Sequence, residues 1–313
     1  MKIHQGDASF APPRSAVVTS GTFDGVHIGH QKILGRLKEV AQSTGGESVV
    51  VTFWPHPRMV LKPNDPPIPL LTTFEEKLEL LKDVGIDHLV QIPFTQQFSQ
   101  LSSEAFIRQV LVNKIGTRHL VIGYDHHFGR NREGSFEYLK EHAHEYGFAV
   151  EEISRQDVDH VGVSSTKIRQ ALEEGDVQTA YEYLGRPYRL TGLVVQGDQL
   201  GRDLGYPTAN LNIESPHKLI PVDGIYAVHV WHRQHRYEGM LYIGHRPTIR
   251  GKTRNIEVNI FNFDQSIYNE ELRVDLLEYI RGDRTFDTLE ELAAQLGQDK
   301  QAALALLKRH QAS

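Results

Sequence analysis

The chain contains no cysteine, so disulfides, thiolate catalysis and cysteine-type zinc sites are excluded together. It has no apolar run that approaches the length of a membrane span. Its first residues, Met1–Gly6, lack the apolar core of a signal peptide. Positive charge is not in excess, and the net charge of -6 argues against broad binding of nucleic acid. These absences predict a cytoplasmic protein that binds neither membranes nor nucleic acid.

The residues that are present are typical of a globular protein with two domains. A length of 313 residues is too great for one ordinary domain, and 39% hydrophobic with 24% charged residues is typical of soluble folds. Up to about Ser165, short apolar runs alternate with helical patterns. The runs expected to form strands are Val17–Thr19, Val49–Phe53, His88–Ile92, His119–Ile122 and Ala149–Ile153. This alternation predicts an α/β fold with a doubly wound, Rossmann-like parallel sheet.

After Gly185 the rhythm of the sequence changes. Strand-like runs follow one another closely, and no long helix intervenes before the apolar spacing of Leu289, Leu292 and Leu296. The runs are Leu193–Val195, Ile225–Trp231, Gly239–Ile243, Ile256–Phe263 and Leu272–Leu277. This pattern predicts a small antiparallel β-barrel or sandwich with a C-terminal helix. We place the boundary near Leu184, at the end of a helical stretch, which gives domains of residues 1–184 and 185–313.

The most informative segment is Gly21–His30, with the sequence GTFDGVHIGH. An apolar run precedes it and a helical pattern follows it, so it is interpreted as a glycine-rich turn between a strand and a helix. The N–H groups and the dipole at such a helix start favour phosphate. His27 and His30 suit nucleotidyl transfer, which needs alignment and charge stabilisation without a covalent intermediate. The alternative is that both are ordinary helix-start residues, but their spacing around Gly29 favours a function.

A second candidate phosphate site is the hydroxyl run from Ser164 to Thr166, followed by Lys167 and Arg169. Hydroxyls at a helix start usually serve only as caps. Cations near a helix N-terminus are unfavourable unless an anion binds there. This conflict favours a bound phosphate over simple capping.

Two loops follow predicted parallel strands, and the carboxyl ends of such strands are where ligands bind. Thr52–Pro57 follows the second strand, and its prolines stiffen the loop. Gly123–Arg130 follows the fourth strand. From the residues alone, either loop could bind a ligand or simply connect and pack.

The second half carries a glycine-rich turn, Gly201–Asn210, that runs into a strand. Thr208 and Asn210 are two residues apart, so both side chains face the same way and offer hard oxygen ligands for Mg²⁺. Glu257 lies in a later strand, where it could accept a proton during phosphoryl transfer or simply be solvated. The pattern G-x-x-x-x-G-K-[ST] does not occur, so a kinase here would not be of the Walker type.

In this order, and over nearly the full length, these motifs resemble those of the bacterial bifunctional riboflavin kinase/FAD synthetase family. Gly21–His30 is similar to the family's nucleotide-binding turn. The other adenylyltransferase motifs are matched by Thr52–Pro57, Gly123–Gly129 and Ser164–Arg169, and the flavokinase signatures by Gly201–Asn210, Ile243–Thr248 and Glu257.

The resemblance implies two activities. The C-terminal domain would phosphorylate riboflavin with ATP to give FMN, and the N-terminal FMN adenylyltransferase domain would transfer AMP from ATP to FMN, giving FAD and pyrophosphate. Mg²⁺ would accompany ATP. The partners would therefore be the small molecules ATP, riboflavin and FMN, and the oligomeric state stays open.

The resemblance also implies a role for each matching residue. His27 and His30 would stabilise the triphosphate, and Glu257 would be the general base of the kinase. Thr208 and Asn210 would hold Mg²⁺ with ATP. The nucleotide-binding residues would be Gly21, Phe23, Asp24, Gly25, Gly29, Ser164, Ser165, Thr166, Arg169, Gly201, Gly205 and Pro207. The flavin-binding residues of the adenylylating site would be Pro55, Asp125, Phe128 and Arg130.

Three positions depart from the family pattern. Thr22 replaces a common asparagine, His126 stands where phenylalanine is usual, and Tyr242 stands where asparagine is frequent. The last two affect the expected packing of the flavin and a contact in the kinase site. None of them removes a residue expected to take part in the chemistry.

Two other functions are compatible with parts of the sequence. A nucleotidyltransferase with the same turn could act on pantetheine phosphate, nicotinate mononucleotide or choline phosphate, but that function leaves the second half unexplained. A flavin-binding regulator with inactive sites is the other, and the intact His27, His30, Arg169, Thr208, Asn210 and Glu257 argue against it.

Overall fold

The computed structural model describes residues 1–6, 10–154, 162–197, 201, 204–248 and 251–311. The chain divides into two compact units, Met1–Ser165 and Thr166–Ser313. The boundary predicted at Leu184 lies further along the chain, and as a division between two activities it stays a prediction. In the described part of the chain, no helix is long and apolar enough to cross a membrane.

A parallel sheet of six strands forms the centre of the N-terminal unit, in the order β1-β4-β3-β2-β5-β6. Its strands are β1 (Lys2–Gln5), β2 (Ala16–Ser20), β3 (Glu47–Trp54), β4 (His88–Pro93), β5 (Thr117–Gly123) and β6 (Ala149–Ile153). The predicted doubly wound sheet is thus confirmed. Only the edge strand β1 was missed, because Ile3 is the single apolar residue in this short segment.

Helices cover both faces of this sheet. They are α1 (Ile28–Thr44), α2 (Pro57–Leu61), α3 (Phe74–Val84), α4 (Gln96–Ser99), α5 (Ser103–Phe106), a π-helical segment Ile107–Lys114, a short 3₁₀ turn Arg130–Arg132, and α6 (Phe136–Tyr146). Successive residues of a strand point to opposite faces. Val17 accordingly packs in the core that contains Leu34 and Leu81 of α1 and α3, whereas Val18 packs in the core that contains Leu139 of α6.

The strand order creates a switch point at the middle of the sheet. From β2 the chain winds outward to β3 and β4, and it then crosses to the other side to form β5 and β6. The loops that follow β2 and β5 therefore leave the sheet in opposite directions and open a crevice at the carboxyl ends of these strands. In open α/β sheets this crevice is where ligands bind.

The C-terminal unit is built on a closed antiparallel barrel of order β10-β11-β8-β7-β12-β9, which confirms the barrel predicted from the sequence. The strands are β7 (Tyr188–Val195), β8 (Ala209–Asn212), β9 (Gly224–His232), β10 (His235–Thr248), β11 (Gly251–Ile260) and β12 (Glu271–Arg281). The helices are α7 (Ser165–Glu174), α8 (Val177–Leu184) and the C-terminal α9 (Leu289–Gln311).

Helix α9 lies against the outside of the barrel. Ala303 and Leu307 of the helix form one apolar core with Ile225 and Met240 of the barrel. The guanidinium of Arg281 on β12 donates two hydrogen bonds, of 2.8 and 2.7 Å, to the buried carboxylate of Asp299 on α9. This pair of bonds fixes the helix near its middle and leaves its first turns to border a cavity described below.

Candidate active sites

The N-terminal end of α1 is capped by His27. Its Nδ1 accepts a hydrogen bond from the backbone N–H of His30 at 3.3 Å. In the neutral ring the proton therefore lies on Nε2, which can donate to an oxygen. The imidazoles of His27 and His30 are stacked, with centroids 3.6 Å apart and planes 15° apart. Two ring donors thus stand beside the positive end of a 17-residue helix, an arrangement suited to phosphate.

The turn before α1 has a strained backbone. Phe23 and Val26 have positive φ angles of 48° and 39°, and the φ of Gly25 is 82°. Positive φ is especially unfavourable for a β-branched residue such as Val26. Such strain persists only where surrounding contacts hold it, and it tends to mark functional turns.

Asp24 supplies those surrounding contacts. Its carboxylate is buried and accepts hydrogen bonds from the backbone N–H groups of Leu71 and Thr72, at 2.9 and 3.2 Å. The hydroxyl of Thr72 accepts a further bond from the N–H of Gly25 at 3.2 Å. The side chain of Asp24 therefore holds the turn in shape, and its predicted contact with nucleotide stays a prediction.

Lys77 of α3 also supports the turn, and the sequence patterns did not identify it. Its Nζ donates to the backbone carbonyl of Thr22 at 2.8 Å. Burial lowers the pKa of Lys77, and the negative charge of Asp24 opposes that effect. The position of Lys77 within an ordinary amphipathic helix gave no local signal of this contact.

A cavity of about 510 Å³ opens at the switch point. Gly21 at the end of β2, Gly123 at the end of β5, and His30 line it, as the topology leads one to expect. Among the residues predicted to bind flavin, Asp125 and Phe128 line the cavity. The lining residues include Pro57 and Arg132, but not the predicted Pro55 and Arg130. Arg130 instead forms an ion pair with Glu133 at 3.7 Å.

One wall of this cavity is made of phenylalanine rings. The rings belong to Phe53, Phe94, Phe98, Phe106 and Phe128. Neighbouring centroids lie 5.5 to 6.2 Å apart, within the range of favourable aromatic contacts. Phe94 and Phe98 were not predicted from the sequence. The available signal was their position after β4, at the same edge of the sheet as the motifs that follow β2 and β5.

The hydroxyl run at the start of α7 lies partly in this unit. Ser165 donates from its hydroxyl to the backbone carbonyl of Asp24 at 3.0 Å, which brings it to the strained turn. Ser164 is partly buried beside it in the chain. Thr166 and Arg169 belong to the second unit, where Thr166 is exposed and Arg169 is buried. Their predicted contact with phosphate stays a prediction.

In the barrel, Glu257 stands at the centre of the predicted kinase motifs. It lies directly opposite Asn210 in the pairing of β11 with β8, and its Oε2 accepts a hydrogen bond from the hydroxyl of Thr208 at 3.1 Å. The strand predicted around Glu257 is present as β11. Glu257 is nevertheless only 5% exposed, so it is not a solvated strand residue. The structure thus brings together three residues that the sequence separates by up to 49 positions.

Two cavities meet at Thr208, and the lining residues of neither include the predicted Asn210. One, of about 380 Å³, is lined by Thr208, Val258 and Phe263. The other, of about 400 Å³, is lined by Thr208, Glu257 and Tyr242, and by Leu292 and Leu296 from α9. Thr208 thus borders both cavities, and the carboxylate beside it borders the second. The two leucines had been predicted only as the apolar face of a helix.

Glycine is required by close packing in the turn that precedes Thr208. A Cβ on Gly201 would lie 2.4 Å from the carbonyl oxygen of Tyr206 and 3.4 Å from the hydroxyl of Thr208. Gly205 has a positive φ of 79°. The carbonyl of Pro207 accepts a bond of 2.7 Å from the side-chain amide of Asn259, which fixes the start of β8. Arg202 and Asp203 of this motif lie outside the described residues, as do the side chains of residues 246–248.

Comparisons with known proteins match both units. A family model described as FAD synthetase matches residues 10–167, and one described as riboflavin kinase matches residues 184–307. The bifunctional riboflavin kinase/FMN adenylyltransferase of Bacillus subtilis (strain 168) is 35% identical over 294 residues, which cover 92% of each chain. That of Pseudomonas fluorescens is 37% identical and covers 94% of this chain and 93% of its own.

A solved structure has the same fold over nearly the whole chain. A crystal structure described as a macrolide-efflux protein from Streptococcus pneumoniae has a TM-score of 0.87 and 31% identity, covering 96% of this chain and 98% of that one. Both family models match in the same chain, and relatives above 30% identity match over nearly their full length. The chain therefore belongs to the bifunctional riboflavin kinase/FMN adenylyltransferase family.

Proposed function

We propose that this chain makes FMN and FAD from riboflavin and ATP in two successive steps. The barrel converts riboflavin to FMN, and the N-terminal unit then converts FMN to FAD. The observation that carries the proposal is the composition of the N-terminal cavity. It joins the turn before α1, whose geometry suits phosphate, to a wall of phenylalanine rings, and this combination suits an acceptor that is both phosphorylated and aromatic, such as FMN. The family matches assign the two activities in the same order along the chain.

On the N-terminal unit, an oxygen of the FMN phosphate attacks the α-phosphorus of ATP. The new P–O bond forms as the bond to the β-phosphate oxygen breaks, and pyrophosphate leaves. The N-terminus of α1 and the ring donors of His27 and His30 stabilise the negative charge that builds up on the phosphates. The phenylalanine wall holds the flavin ring, so that the two reactants are aligned before reaction.

On the barrel, the terminal hydroxyl of the ribityl chain of riboflavin attacks the γ-phosphorus of ATP. Glu257 accepts the hydroxyl proton, and ADP leaves. Thr208 borders both cavities, whereas Glu257 lines the cavity beneath α9. We therefore assign riboflavin, whose hydroxyl must reach Glu257, to the cavity beneath α9, and ATP to the cavity lined by Val258 and Phe263. The reacting oxygen then lies on the side of Glu257.

Magnesium fits Thr208, at the junction of the two cavities, and Asn210, which lies opposite Glu257 in the pairing of β8 with β11. The hydroxyl of Thr208 and the carboxamide of Asn210 are hard oxygen donors, and the carboxylate of Glu257 lies within hydrogen-bond distance of the first. When bound with ATP, Mg²⁺ would neutralise phosphate charge. The predicted location in the cytoplasm remains part of this proposal.

The proposal is tested by incubating the protein with riboflavin, ATP and Mg²⁺ and separating the products by chromatography. FMN should appear first and FAD after it, and FMN supplied as the only flavin should be converted to FAD with release of pyrophosphate. Nicotinate mononucleotide and pantetheine phosphate serve as control acceptors. If either of them reacted in place of FMN, the N-terminal unit would belong to a different nucleotidyltransferase.

A further inference from the structure

One residue in the wall of the N-terminal cavity differs in kind from its neighbours. His126 lines the cavity beside Phe128, and the two rings are stacked with centroids 5.8 Å apart and planes 29° apart. The rest of this wall is made of phenylalanine. An imidazole has nearly the same planar shape as its neighbours, but it adds two nitrogen atoms that can form hydrogen bonds.

The ring of His126 is held by a hydroxyl at the end of β2. Its Nε2 lies 3.3 Å from the Oγ of Ser20, which is itself buried and lines the same cavity. No described residue pairs with the other ring nitrogen, Nδ1. Since a serine hydroxyl can donate or accept, it can support either tautomer of the imidazole.

The charge on His126 is suppressed by its surroundings. Burial, together with the smaller effect of the nearby positive charges of His127 and Arg132, lowers the pKa of His126 to about 4. Asp125 and His30 also line the cavity. At neutral pH the imidazole is therefore uncharged, which makes it a poor phosphate ligand and a good partner for a neutral polar group.

We infer that His126 is a specificity-determining residue that hydrogen-bonds the imide edge of the flavin ring in the adenylylating site. The inference rests on the proposed function, since it assigns FMN to this cavity. With Ser20 accepting from Nε2–H, Nδ1 accepts from the imide N–H of the flavin. With Ser20 donating to Nε2, Nδ1–H donates to a flanking carbonyl. The benzenoid side of the flavin then rests on the phenylalanine rings.

The test is steady-state formation of FAD from FMN and ATP by the full chain carrying His126→Phe. Phenylalanine preserves the packing and removes the hydrogen bond, so KM for FMN should rise about tenfold, as expected for one neutral hydrogen bond. The value of kcat and KM for ATP should stay within about twofold. His126→Asn, which keeps a donor and an acceptor, should recover part of the loss. His144→Phe, at an exposed position on α6, is the matched control.

A flavin analogue identifies the contact directly. In the wild type, KM for FMN methylated at the imide nitrogen should be higher than KM for FMN. In His126→Phe the difference between these two KM values should be much smaller, because the same contact is already lost. An unchanged or lower KM for FMN in His126→Phe would overturn the inference, since the ring would then only pack. If that variant also lost kcat, equal KM values for FMN and imide-methylated FMN in the wild type would overturn it instead. Failure of the proposed function is distinguishable, because the wild type would then make no FAD.

Discussion

Stacked rings do not make His27 and His30 equivalent. His27 is 7% exposed and caps α1, so its ring has a structural task in addition to any contact with phosphate. His30 contributes only its backbone N–H to that cap, and its ring lines the cavity in edge contact with Phe23. Substitution of His30 is therefore the cleaner test of function, because it leaves the helix cap in place.

We expect His30→Ala to lower the rate of FAD formation by about 10²-fold or more, as for removal of a donor that stabilises charge in the transition state. FMN formation from riboflavin should stay within about twofold, because the kinase motifs lie on the other unit. Chromatography of one reaction mixture measures both rates, with His144→Ala as control. A parallel fall of both activities in a folded variant would contradict the assignment of His30 to one unit.

Glu257→Gln should have the reverse effect. Glutamine keeps the size of the side chain and an oxygen that can accept from Thr208, but it removes the base. We expect kcat for riboflavin phosphorylation to fall by about 10²-fold or more, with FAD formation from added FMN unchanged. Glu271→Gln, at an exposed end of β12, is the matched control. A loss of less than about tenfold would mean that another group accepts the proton.

His126 should make the stability of the N-terminal unit depend on pH. Its pKa is about 4 in the folded protein and about 6.5 when unfolded, so between these values the unfolded chain binds a proton that the native protein does not. Stability therefore falls as pH decreases through this window. Between pH 7.5 and 5 the contribution of His126 is about 2 kcal/mol at most.

This contribution can be isolated by comparing the parent with His126→Phe in denaturant unfolding at both pH values. The chain has two tryptophans, Trp54 and Trp231. Substitution of Trp231 by phenylalanine in both proteins leaves Trp54 to report on the N-terminal unit. The parent should lose more stability than the variant on going to pH 5. Equal losses would show that His126 titrates normally in the folded state.

At the scale of elements, the strained turn before α1 depends on segments that are distant in sequence. The buried carboxylate of Asp24 binds residues 71 and 72, and Lys77 of α3 binds the carbonyl of Thr22. The positive φ angles of Phe23 and Val26 are held by this support. The turn is thus a property of two elements packed together, and a change in α3 should be felt at the site.

Lys77→Met should separate activity from stability. The variant loses the bond to Thr22, so KM for ATP in FAD formation should rise about tenfold, within the range for loss of a hydrogen bond from a charged group. Because burial disfavours the charge on Lys77, thermal stability should stay the same or increase. Lys82→Met, in the exposed last turn of α3, is the control. An unchanged KM would show that the turn keeps its shape without Lys77.

At the scale of the whole molecule, α7 and α8 belong with the barrel. Leu172 of α7 accepts a hydrogen bond of 3.1 Å from the N–H of Val222, and Gly175 lies against the side chains of Val222 and Tyr279. Helix α8 packs on β7 and β12. The helical stretch that the sequence analysis assigned to the first domain thus covers part of the barrel.

A pair of fragments tests this consequence. Residues 166–313 should fold alone and phosphorylate riboflavin at a rate close to that of the full chain. Residues 186–313 lack both helices and expose the apolar surface beneath them, so their Tm should be lower by several degrees. Calorimetry and the kinase assay measure the two properties. Equal stability and activity of the fragments would support the boundary at Leu184.

The sequence by itself determined those features of the protein that are encoded within one short segment of the chain. Short apolar runs identified the strands of both units apart from β1, and the pattern around Gly21–His30 identified a turn between a strand and a helix, because each of these signals lies within one short segment. That this turn binds phosphate stays a prediction. Only the tertiary structure decided which distant residues meet. The phenylalanine wall, the support of Lys77 for the turn and the pairing of Thr208 with Glu257 join separate segments. Contacts of this kind depend on strand order and register, which no single segment of the chain contains.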